Sequence, residues 1–234
     1  MSDLERNRLR LAAQVFLSWG FIPIPLHGKV PLGNEWQKTD PDRALDLINR
    51  YVSRLDNLGI LTGEPSNVVV VDVDVKQKGL ETWETLVTRN GRPDTLTVRT
   101  GSGGLHVYFL HTETIAPLIN QTGYGIEFKT TGGMVVAPWS LHPNTGKPYV
   151  MENYNLGRRI AGATTFPDSV VKTYGLPQPD DILKLENEAP LIDEMPDWLY
   201  AYLRNRDALN EEELEDEDVG EPDIVEVDAS EDDD

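Results

Sequence analysis

The sequence predicts a mixed α/β domain organised around one central strand, and three observations predict it. Residues 67–75, Asn-Val-Val-Val-Val-Asp-Val-Asp-Val, are a long β-branched run that suits a strand covered on both faces. Amphipathic helical patterns alternate along the chain with short apolar runs bounded by glycine and proline. The length, 234 residues with no internal repeat, fits one domain of ordinary size plus appendages.

The elements follow in order. Leu4 to Trp19 carries Leu4, Leu11, Val15 and Trp19 on one stripe, broadened by Leu9, Ala12 and Phe16, and reads as a helix that Gly20 ends. Phe21 to Leu26 holds two prolines, which lack a ladder donor, and is expected as an extended edge segment. Asp40 followed by Pro41 starts a second helix through roughly Arg54. Leu58–Leu61 and Asn67–Val75 are strands, Leu80–Asn90 is a helix, and Thr95–Arg99 and Leu105–Leu110 are strands around a glycine turn. Gly125–Lys129 and Met134–Ala137 are expected to form another strand pair, and Met195–Asn205 one short terminal helix.

Charge is distributed unevenly. The net charge is −19, yet residues 211–234 hold fifteen acidic residues and no basic one, so the remainder carries 25 acidic against 21 basic groups, or −4. Such an acidic run cannot bury enough apolar surface to offset its ordering entropy and is expected to be disordered. There are no cysteines, which excludes disulfides and thiolate metal sites and leaves a hard cation on oxygen ligands as the default metal. The first ten residues lack the apolar run of a signal peptide, and no stretch nears the roughly eighteen apolar residues of a membrane span. The expected location is cytoplasmic, or the nucleoid or host cytoplasm for a plasmid or viral chain.

Three segments carry chemistry. Asp72 and Asp74 stand two apart at the end of the valine run, so they project on the same face, and their mutual repulsion calls for a positive partner such as a divalent cation. Arg99-Thr-Gly-Ser-Gly-Gly-Leu-His106 offers backbone amides, hydroxyls and a histidine in a turn of the kind that cradles phosphate, without the residues of a Walker loop. Glu127 and Lys129 share a strand face, a third carboxylate with a cation beside it, and Ser140, His142 and Tyr149 follow in a proline and glycine loop. The Asp-x-Asp pair alone also suits a metal-dependent glycosyltransferase, and a non-catalytic module that binds single strands is a further alternative.

On these segments the chain resembles the bifunctional primase-polymerase N-terminal domain of the archaeo-eukaryotic primase superfamily, over roughly Leu11 to Tyr174. The first motif stands as Asp72-Val-Asp74, the second as Thr100-Gly-Ser-Gly-Gly-Leu-His106, and the third as Ile126-Glu127 with Gly132-Gly133, Pro138 and Ser140-Leu-His142. Gly20-Phe21, Pro25, Lys29-Val-Pro31, Trp36 and Asn57-Leu-Gly-Ile-Leu-Thr-Gly63 agree as well. The resemblance implies an α/β unit packed on an RRM-like unit, with the active site in the cleft between. It implies Asp72, Asp74 and Glu127 as catalytic residues holding two divalent ions, Mg²⁺ or Mn²⁺. His106 and the Thr100–Gly104 turn, with Arg99, Ser102, Gly103, Lys129 and Lys29, would face the nucleoside triphosphate. Lys76, Trp139, Ser140 and His142 are the candidate contacts to a single-stranded or primed DNA template, with Lys78, Arg89, Arg92, Arg158 and Arg159 as further groups. The implied reaction is DNA-templated nucleotidyl transfer, as primer synthesis or extension. In this sequence Gly104 takes the place where many relatives have serine, and Glu127 stands where aspartate is frequent.

The expected organisation is a catalytic domain over residues 1–175, a linker with a short helix over 176–208, and the acidic tail over 209–234. The tail is the expected contact for a replicative helicase or single-strand-binding protein.

Overall fold

In the computed structural model, residues 2–122, 125–152 and 176–205 are described. Helix α1 (Asp3–Ser18) starts on a capping box: the Glu5 amide donates to the Ser2 hydroxyl at 3.3 Å and the Ser2 amide donates to the Glu5 carboxylate at 2.6 Å. Strands β1 (Pro23–His27) and β2 (Val30–Pro31) follow. Helix α2 (Pro41–Arg50) is capped by Asp40, whose carboxylate accepts from the Arg43 amide at 2.9 Å. It stops four residues short of the expected end, where Tyr51 leaves the helix and the Arg54 guanidinium lies 5.9 Å from its ring centre.

Next come β3 (Asn57–Leu61), β4 (Val68–Val73), α3 (Gly79–Asn90), β5 (Thr97–Arg99), β6 (Leu105–Leu110), β7 (Ile126–Lys129), β8 (Met134–Val136) and β9 (Val150–Met151). They build two sheets, ordered β2-β1-β3-β8 and β7-β4-β6-β5-β9, and every ladder is antiparallel. The expected mixed α/β fold is the one found. The valine run is central as expected, with β7 on one side and β6 on the other.

Alternation along β4 divides the interior into two cores. Val69, Val71 and Val73 face outward into a core closed by Trp83 and Val87 of α3. Val68 and Val70 face the opposite way, into a core shared with α1, α2 and the four-stranded sheet.

Two expectations are corrected. β1 is not an edge, because it lies between β2 and β3. Its even-numbered residues face β3, as Leu61 and Asp56 donate to the Ile22 and Leu26 carbonyls, so both prolines turn their missing donors toward the two-residue β2. β7 and β8 do not pair with each other: β7 joins β4 and β8 joins β3, in different sheets. The Thr130–Gly133 turn crosses between the sheets, held where Thr62 donates from its amide to Gly133 and from its hydroxyl to Thr130.

The stretch expected as a linker with a short terminal helix carries that helix and also packs against the rest of the chain. Residues 176–205 carry α4 (Pro179–Leu183) and α5 (197–205), and they enter both cores. Ile182 and Leu185 join the first, while Met195, Leu199 and Leu203 join the second. Between them Asp193 bridges to Phe109 of β6, and the Trp19 indole donates to the Leu185 carbonyl at 2.9 Å. The tail expectation falls on residues outside those described, as do Arg158 and Arg159.

Candidate active site

The antiparallel register sets the site. Asp72 on β4 lies directly opposite Glu127 of β7 and directly opposite His106 of β6, so one row of the sheet reads Glu127, Asp72, His106. Directly opposed residues on one face have Cβ atoms roughly 4.5–5.5 Å apart, close enough for their side chains to act together. By the alternation of β4 this row stands on the face of Val70, the one turned toward the four-stranded sheet. Asp74 follows the strand end, where its amide donates to the Gly125 carbonyl at 2.7 Å and its carboxylate accepts from the Lys76 amide at 3.1 Å.

Two cationic or polar partners meet the carboxylates within the row. The Lys129 ammonium lies 2.7 Å from the Glu127 carboxylate, and His106 Nε2 lies 3.6 Å from Asp72 Oδ1. His106 is buried, and its Nδ1 makes no hydrogen bond of normal geometry. Burial pulls its pKa below the ordinary value, Asp72 and the Val136 backbone oppose that, and the Lys29 and Lys129 charges reinforce it. The ring is therefore neutral near pH 7, a single N–H donor. Lys29, from the turn between β1 and β2, also depresses His142, so its charge reaches both imidazoles.

Tyr149 joins the two histidines. Its ring centre is 5.6 Å from that of His106 and 6.3 Å from that of His142, and burial, then Asp72 and Asp74, push its phenol pKa up. It thus stays a protonated donor within electrostatic reach of both aspartates. In the sequence Tyr149 is only one polar residue of a loop, since the ring contacts come from residues far apart in the chain. Tyr108 sits one pleat below His106 on the same face, its hydroxyl buried without a hydrogen bond among the described residues.

The glycine turn closes against the end of β4. A Cβ on Gly104 would fall 2.2 Å from the Val73 carbonyl oxygen, and one on Gly101 would fall 2.4 Å from both the His142 Cβ and the Lys147 carbonyl oxygen. Only glycine allows these approaches. The Thr100 and Gly103 amides bond within the turn, to Gly104 and Thr100, and the Thr100 and Ser102 hydroxyls bond each other at 3.0 Å. Arg99 is committed to Glu152 and donates to the Gly103 carbonyl at 3.0 Å, so it braces the turn from outside. A groove of about 450 Å³ opens on this side, lined by the turn, Lys147 and Glu152.

The template candidates separate. Lys76 is exposed on the turn after Asp74, and His142 stacks on Tyr149. Trp139 and Ser140 lie in the core instead. Trp139 stacks on Phe16 at 5.2 Å, holds a left-handed φ of 64°, and accepts from Arg8 at its carbonyl at 3.1 Å. Ser140 is fully buried, accepting from the Leu58 amide and donating to the Leu58 carbonyl. Both hold the loop that delivers His142 and Tyr149.

Among the described residues no three carboxylate or histidine side chains are arranged as a ready-made metal cage. The donor set still suits a hard divalent cation: two carboxylates are cross-strand neighbours, a third stands two residues on at the strand end, and all offer oxygen. No helix of the described residues is long and apolar enough to cross a membrane.

A comparison with curated proteins found no match. Among solved structures, the polymerase domain of Mycobacterium tuberculosis Ligase D in complex with DNA aligns at 14 % identity and a TM-score of 0.36, covering 80 % of this chain and 92 % of that one, a likeness too distant to argue from. The family described as bifunctional DNA primase/polymerase, N-terminal, matches residues 11–165. That span contains the Glu127–Asp72–His106 row, Asp74 and the glycine turn, and it covers well over half of the chain: the protein belongs to the bifunctional DNA primase/polymerase N-terminal family, whose chemistry is nucleotidyl transfer on DNA.

Proposed function

We propose that this chain is a DNA-templated nucleotidyltransferase that makes or extends primers from nucleoside triphosphates. The observation that carries the proposal is the in-register row of Glu127, Asp72 and His106, with Asp74 two residues on at the strand end and the glycine turn packed against that same end. Asp72, Asp74 and Glu127 would hold two divalent ions, Mg²⁺ or Mn²⁺. When bound, such ions lower the pKa of a primer 3′-hydroxyl and neutralise charge on the triphosphate.

The remaining roles belong to the protein. His106, neutral and fixed by burial, donates its one N–H to a phosphate oxygen without bringing a charge that would repel the metals. The turn from Thr100 to Gly104 presents the Gly101 and Ser102 amides to the triphosphate, the Thr100 and Gly103 amides being spent within the turn, and Lys29 adds positive charge from the opposite sheet. Arg99 acts by holding the turn in shape. Lys76 and His142 contact the template strand. The core positions of Trp139 and Ser140 make them supports of that loop.

The reading is tested by incubating the full chain with Mn²⁺ or Mg²⁺ and labelled nucleotides, on a primed template and on circular single-stranded DNA. Ribo- and deoxynucleotides are supplied in turn. Templated products that vanish in the Asp72→Asn, Asp74→Asn double variant are expected. Absence of product from the folded wild-type protein under all these conditions sinks the proposal.

A further inference from the structure

A carboxylate row needs compensation even before any metal arrives, and one cation already supplies it. Lys129 lies two residues beyond Glu127 on β7, so its side chain rises on the same face, with Nζ 2.7 Å from the Glu127 carboxylate. The pair is mostly screened from water, the Lys129 side chain at 18 % and that of Glu127 at 26 % exposure, so salt weakens it little. Glu127 is also the direct neighbour of Asp72. The ammonium thus sits at contact distance from one oxygen of the carboxylate that a cation shared by Glu127 and Asp72 would use, and competes with it for that charge.

We propose that Lys129 is a resident counter-ion of the carboxylate row, which a divalent cation must displace from Glu127 before it can be held there. This inference rests on the reading of Glu127 and Asp72 as metal ligands. It makes Lys129 a positioning and gating residue: it keeps Glu127 in place in the metal-free protein and weakens metal binding by competition. A purely structural ion pair would support the fold and leave metal affinity alone.

The test measures metal binding instead of activity. Mn²⁺ is titrated into the full-length wild-type chain and into Lys129→Met, with the free ion followed by electron paramagnetic resonance. The variant is expected to bind Mn²⁺ more tightly by about tenfold or more, because it removes a competing charge at contact distance. In parallel, the wild-type protein is treated with an amine acylating reagent with and without Mg²⁺, and Lys129 modification is read by mass spectrometry; released from Glu127, it is expected to react several-fold faster with Mg²⁺. Equal or weaker Mn²⁺ binding by a folded Lys129→Met overturns the inference alone. No rise in Lys129 acylation also overturns it, and decides the matter if the variant does not fold. Failure of both proteins to bind Mn²⁺ overturns this inference together with the two-metal reading.

Discussion

Residues 176–205 lie beyond the family match, which ends at 165, yet they fill space in both cores, and their contribution can be worked from burial. Leu185 and Leu199 are both fully buried, one in each core. Truncating a buried leucine to alanine removes its transfer free energy and leaves a cavity, about 3 kcal/mol within a range of roughly 2–5. The two sites sit in separate clusters, so their effects add, and the double variant loses about 6 kcal/mol. That is comparable with the whole stability of an ordinary domain, about 5–15 kcal/mol. Urea unfolding followed by tryptophan fluorescence is a suitable assay, since the Trp19 indole donates directly to Leu185. Leu185→Ala and Leu199→Ala are expected to lower the midpoint with unchanged slope, and the double variant to be largely unfolded in buffer. If each single change costs less than about 0.5 kcal/mol, as an ordinary surface substitution would, the segment is not part of the cooperative fold.

Other expectations follow from the site. Asp72→Asn should reduce nucleotide incorporation by on the order of a thousandfold, while raising metal-free stability by up to about 1 kcal/mol, because it relieves like charges placed directly opposite each other; primer extension and urea unfolding in chelator check the two halves. Gly104→Ala must push the Val73 carbonyl away from a 2.2 Å contact, and should destabilise the protein by about 1–3 kcal/mol and raise KM for the triphosphate more than it lowers kcat. His142 is held below its ordinary value of 6.5, by burial first and then Lys29, with Asp74 opposing. The unfolded chain therefore takes up that proton before the folded one as pH falls, so stability is intact above 6.5 and declines below it; urea midpoints across that range should show the slope, and His142→Asn should lessen it while buried His106, depressed in the same direction, keeps the remainder. Ser2→Ala breaks the capping box of α1 and should cost about 1 kcal/mol, seen in thermal unfolding.

Much of the site was legible because its geometry is local. Asp72 in a valine strand, and the β5–β6 hairpin around its glycine turn, follow from alternation and turn chemistry within a few residues of each other. The register that puts Asp72 between Glu127 and His106 is not local, since β7 reaches β4 from more than fifty positions away. The Gly132-Gly133 turn reads as a hairpin closure, but the same residues serve equally to carry a chain from one sheet to another, and only the Thr62 contacts decide. Trp139 and Ser140 look available in a polar loop, and the packing of Phe16 and Leu58 against them comes from distant segments. For residues 176–205 the terminal helix is legible, but its docking is not: Leu199 and Leu203 pack into a core built from strands far away in the chain.

Asp72 is locked between two ladders, and this limits how the enzyme can be altered. A slip of one residue in either ladder would invert the pleat and drive a carboxylate among Val69, Val71 and Trp83, so insertions or deletions in β4, β6 or β7 should not survive. The parts that border the row from outside are connections: the turn bearing Lys29, the glycine turn, and the loop from Trp139 to Tyr149. Remodelling for a different sugar or base therefore belongs in those three connections, with the strands kept as a fixed chassis.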